Sequence, residues 1–130
     1  MDKSQQEVCQ YIRSLTSEAA ADWLIDTYKL GSPNTGGVYK VLAHRSWSKG
    51  DQIRLANYFL QNIPHRSGLG YETFLSFMSL PAFIAVVQQH MPSNPSEREL
   101  LAYHLGPALE ARAHLGRHQA SVENFMRSLS

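Results

Sequence analysis

Along nearly the whole chain, apolar residues recur every three or four positions, and glycine or proline cuts that recurrence into short lengths. No other feature restricts the fold so strongly. A period near 3.6 gathers those side chains on one face of a helix, whereas a half-buried strand needs strict alternation. Residues 5–15 place Val8, Ile12 and Leu15 together. After Ser17, a cap residue, Ala20, Trp23, Leu24, Thr27 and Tyr28 recur in the same way until Gly31. Residues 38–44 suit a short helix or a strand; helix is favoured because no partner strand is evident.

The later segments are punctuated more sharply. Ser48 is placed to accept from the backbone N–H of Asp51 and so to begin a helix with Ile53, Ala56, Phe59, Leu60 and Ile63 on its apolar face, ended by Pro64. Residues 71–78 and 82–91 are apolar nearly all round, which predicts the centre of a core, with Pro81 in a first turn. Ser96 with Glu99 reads as a capping box before Leu100 and Leu101. Gly106-Pro107 should kink or restart that helix, and Gly116 can end it. A last helix from about Gln119 turns Val122, Phe125, Met126 and Leu129 inward.

The fold expected is therefore all-α: a compact single-domain irregular or orthogonal bundle of about eight short helices. Its core should centre on Phe74, Phe77, Phe83, Ile84, Val87, Leu101, Leu105 and Phe125. With 130 residues, 43% of them hydrophobic and 18% charged, the chain can bury such a core without metal or disulfide staples. The single cysteine, Cys9, supports no extracellular disulfide scaffold. The polar N-terminus shows no secretory signal, and the longest apolar run, Leu80 to Val87, is too short to cross a bilayer. A cytoplasmic protein with no membrane partner is expected.

Net charge is +1, but it is unevenly distributed. Residues 1–28 carry a balance of −3, residues 29–66 one of +5, and residues 67–130 one of −1. Within the basic third, HRSWSKGDQIR (44–54) sets cations around a tryptophan. If the helix after Ser48 turns its apolar face inward, Arg54, Tyr58 and Gln61 share the outward stripe, with Arg45 and Lys49 near its start. Lys40, Arg45, Trp47, Lys49, Arg54, Tyr58 and Arg66 are accordingly the candidate partner-binding or nucleic-acid-binding residues. Exposure of Trp47 would mark a binding surface; its burial would mark a capped helix start. Residues 38–63 also have the rough outline of a helix-turn-helix, with Lys49, Gln52 and Arg54 at the reading positions. The turn between its helices is not the tight one that motif uses.

Other chemistry finds less support. Glu110, His114 and His118 fall at i, i+4 and i+8, a metal-ligand spacing, but Gly116 interrupts it and no further ligand completes the set. His44, His65 and His90 read as turn or helix-end residues, and His104 as a core-edge residue. Residues 68–78 enter a helix through glycines and an acid–aromatic pair, as some calcium loops do. The carboxylate ladder is missing, since Ile63, Pro64, His65, Arg66 and Ser67 stand in its place. No nucleophile elbow, P-loop or dinucleotide fingerprint occurs. The expectation is a non-catalytic interaction protein without a cofactor, binding a protein partner through a charged helical surface. Nucleic-acid binding by residues 40–66 is the alternative, and a metal-dependent enzyme ranks third.

Overall fold

The computed structural model describes residues 2–33, 35–113 and 119–129. These form eight α-helices and one short 3-10 turn, with no strand among the described residues. The helices are α1 (Lys3–Ser14), α2 (Ser17–Thr27), α3 (Val38–Leu42), α4 (Lys49–Phe59), α5 (Leu69–Leu75), α6 (Leu80–Gln89), α7 (Pro95–Ala113) and α8 (Gln119–Leu129). The ambiguous 38–44 segment is helical, and the expected all-α class holds.

Local chemistry fixes where most helices begin. Asp2 and Gln5 form a reciprocal capping box at the head of α1. Thr16, one residue before the expected Ser17, accepts from Ala19 N at 3.1 Å and caps α2. Ser79 caps α6, with Pro81 in its first turn. The capping box expected at Ser96 is corrected: Asn94 Oδ1 accepts from the N–H groups of Ser96 (2.8 Å) and Glu97 (3.3 Å). Pro95 then opens the helix, because a proline is tolerated where no intrahelical N–H bond is required. The restart expected as one outcome at Gly106-Pro107 does not occur, since α7 runs through Pro107. Leu105, Gly106 and Leu109 are buried, and this packing holds the turn that proline weakens. The helix end expected at Gly116 lies outside the described residues.

The helices do not pair in simple chain order. α1, α3, α5, α7 and α8 pack successively on one another, as do α2, α4 and α6, giving two interleaved rows. Contacts of α1 with α2, of α4 with α5 and of α5 with α6 join the rows. One buried cluster draws on all eight helices. Phe74, Phe83, Val87, Leu101 and Leu105 are fully buried, and Ile84 and Phe125 are nearly so. Phe77 is only partly buried, because α5 ends at Leu75 and leaves it in the following turn against Phe74.

Candidate functional site

Residues 44–54 tie helices together. Trp47 is buried, with 6% of its surface accessible. Its indole Nε1–H donates to Leu42 O at 2.9 Å, satisfying a carbonyl left over at the end of α3. Arg45 reaches across to the other end of the problem, the C-terminus of α1. Its Nη1 donates to Ile12 O (2.7 Å) and Leu15 O (2.9 Å), where the helix dipole favours a cation. The guanidinium also lies 4.8 Å from the Trp47 ring centroid.

The start of α4 is locked in the same way. Ser48 Oγ accepts from Asp51 N, as expected, and donates to Asp51 Oδ2 at 2.7 Å. Ser17 Oγ, in the first turn of α2, donates to the same oxygen at 2.6 Å and accepts from Ser48 N. The Asp51 carboxylate thus joins two helix N-termini, each with positive dipole ends. The Ser17 and Ser48 hydroxyls hold its pKa below the usual value; burial opposes them and the Arg54 guanidinium assists.

Arg54 is half-exposed, but it is not the free outward cation that the stripe required. It pairs with Asp22, donates to Glu18 O at 3.1 Å and meets Asp51 at 3.3 Å. Tyr58 is partly buried, and its hydroxyl accepts from Leu30 N. Gln52 donates to Trp47 O. Of the positions that a recognition helix would present, Gln52 and Arg54 are therefore engaged within the chain and Lys49 is not. Lys40, Lys49 and Arg66 remain exposed and without an ion pair among the described residues, each on a different segment. The acidic balance of residues 1–28 and the basic balance of 29–66 meet in the Asp22–Arg54 contact between α2 and α4.

A second surface was not singled out by the sequence. On α7, Leu100, Tyr103, Pro107 and Ala111 fall at i, i+3, i+7 and i+11 and are all exposed. At about 100° per residue they lie opposite the buried Leu101, Leu105 and Leu109. Tyr103 has 74% of its surface accessible. Glu97, Glu99 and Glu110 flank the stripe and enter no ion pair among the described residues. The cations of α7 are occupied, Arg98 on Pro92 O and Arg112 on Leu75 O. A groove of about 340 Å³ between α5 and α7, lined by Glu72, Leu75, Pro107 and Ala111 among others, continues the surface. The signal for it was legible: α7 carries two apolar stripes, and one core can cover only one.

A third arrangement surrounds His65, which local sequence marks only as a turn residue. Its ring stacks on Tyr71, with centroids 5.1 Å apart, and lies 5.8 Å from Tyr39. Nε2 sits 3.2 Å from Phe59 O and 3.0 Å from Asn62 Oδ1. A carbonyl can only accept, so Nε2 carries the proton. Burial pushes the His65 pKa down, against the Phe59 carbonyl, and pushes Tyr39 and Tyr71 up to about 12.

Of the metal candidates, Glu110 is exposed on α7, while His114 and His118 lie outside the described residues. Among the described residues, no three His, Cys, Asp or Glu side chains converge as a metal ion requires. No helix among them is long and apolar enough to cross a membrane. No protein family matches the chain, and neither a curated protein nor a solved structure shows significant similarity to it.

Proposed function

We propose that this chain is a non-catalytic interaction protein whose binding surface is the outward face of α7, rather than the basic segment 40–66. The observation that carries this reading is the exposed stripe Leu100–Tyr103–Pro107–Ala111, opposite a face already buried. An exposed apolar stripe rimmed by charge is a common form of helix-docking surface. The partner suggested is a protein helix with an apolar seam flanked by lysine or arginine. Glu97, Glu99 and Glu110 supply the complementary charge. A second copy of the same face would bring these carboxylates against one another, so self-pairing is disfavoured. Nucleic acid loses support for the same reason, and because Arg45 and Arg54 are spent within the chain.

Fluorescence anisotropy with a labelled Leu/Lys amphipathic helical peptide tests the reading. Binding is expected for the Leu/Lys peptide and should weaken at least about tenfold in the Leu100→Ala/Tyr103→Ala variant, a loss typical of a truncated hot spot. A Leu/Glu peptide of the same pattern should bind more weakly. Equal binding by the double variant, or a preference for the acidic peptide, would overturn the assignment.

A further inference from the structure

Independently of α7, the neighbourhood of His65 opens into a cleft of about 320 Å³, lined by Thr35, Tyr39, Asn62, Pro64, His65, Arg66, Ser67 and Gly70. Its polar atoms have a definite pattern of donors and acceptors. Arg66 is the single charged side chain of the lining, is exposed, and has no partner among the described residues. Ser67 Oγ accepts from Leu69 N at 3.4 Å, which leaves its O–H free to donate outward. Asn62 spends its Oδ1 on His65, so its amide N–H groups are free. Beside these donors stands a ring acceptor. With the proton fixed on Nε2, the neutral His65 ring presents a lone pair at Nδ1, which has no hydrogen-bond partner among the described residues. Gly70 packs closely on this edge of the ring, where only a glycine fits, since a Cβ there would come within 2.8 Å of Nδ1 and 3.2 Å of Tyr39 Cζ.

Several donors and one cation with no carboxylate in the lining suit a negatively charged ligand, and the acceptor at His65 Nδ1 suits one that also carries a hydroxyl. We propose that this cleft binds a small hydroxyl-bearing oxyanion, with Arg66, Ser67 and Asn62 on its charged oxygens and His65 Nδ1 accepting from its hydroxyl. Hydrogen phosphate and a small 2-hydroxycarboxylate share that chemistry. Burial supports the arrangement by holding the His65 ring neutral.

Sulfate gives the sharpest comparison, because at neutral pH it has the charge and shape of phosphate but no hydrogen to donate. Titrations of the full chain with inorganic phosphate, lactate and sulfate would be followed by calorimetry and by the His65 ring resonances in NMR. Phosphate or lactate should bind and shift the His65 ring signals, and whichever binds at least about tenfold more tightly identifies the source. Sulfate should bind at least about tenfold more weakly than phosphate, because it leaves the acceptor facing another lone pair. Arg66→Gln, at an exposed position outside any helix, should weaken binding at least about tenfold without unfolding the chain. Equal affinities for phosphate and sulfate, an unmoved His65 signal, unchanged binding in Arg66→Gln, or binding of neither oxyanion would overturn the proposal.

Discussion

Trp47, Arg45 and Asp51 show how one short stretch settles several helix ends at once. Trp47→Ala removes a buried ring and the donor to Leu42 O, so urea denaturation should show a loss of about 3–5 kcal/mol. Arg45→Ala removes the side-chain donor to Ile12 O and Leu15 O at the end of α1 and should cost about 1–3 kcal/mol. Lys49→Ala, two residues beyond Trp47 but exposed, should stay within about 0.5 kcal/mol of the parent. Equal effects at the three positions would contradict the roles assigned to them. Asp51 makes a pH-dependent contribution. Its pKa is lowered on folding, so its stabilisation is complete above the unfolded value near 3.9 and is lost as pH falls through the folded value. The stability gap between the parent and Asp51→Asn should be largest near neutral pH and should shrink below about pH 4; a gap independent of pH would refute this. The Ser48–Asp51 cap was legible because it is local. Arg45 and Arg54 were not, because these partners lie thirty or more residues away: Ile12 and Leu15 for Arg45, Asp22 for Arg54.

At the scale of the element, α7 stands apart. It is the longest helix described, and it holds a proline within a continuous run. Pro107 lacks the N–H that would bond Tyr103 O, and its side chain is exposed, so no core packing is lost on replacement. Pro107→Ala should therefore stabilise the chain by about 1–3 kcal/mol, read as a raised Tm. A destabilised variant would mean that proline shapes α7 in a way the fold requires. Leu105→Ala should cost about 2–5 kcal/mol, while Tyr103→Ala, on the opposite face, should stay within about 0.5 kcal/mol. The start of α7 was misjudged because Ser96 and Glu99 fit the capping pattern; Asn94 takes the role because Pro95 fits only the first helical position. The outward stripe is hidden in the sequence for another reason: Leu100 and Leu101 are adjacent and alike, and only packing decides that the core covers Leu101 and Leu105 while Leu100 and Tyr103 face out.

For the whole molecule, helical periodicity and breakers disclosed the class and most of the core, because both depend on local spacing. They could not disclose that helices pack in two interleaved rows, which brings α2 onto α4 and α1 onto α3. That pairing sets part of the acidic first stretch against the basic one, through Asp22 and Arg54, and it engages Arg45 and Arg54 within the chain while Lys40, Lys49 and Arg66 stay exposed. It also assembles the His65 cleft from residues 35 to 70, which no single window contains. The central claim is that residues 44–54 hold the fold together while α7 faces outward for a partner. Titration of the isotope-labelled chain with the Leu/Lys helical peptide, read as backbone amide shift changes, tests it most directly. The account expects changes concentrated at Leu100, Tyr103, Ala111 and their neighbours, with the amides of Arg45, Trp47 and Lys49 unmoved. Changes centred on residues 44–54, with α7 silent, would contradict it.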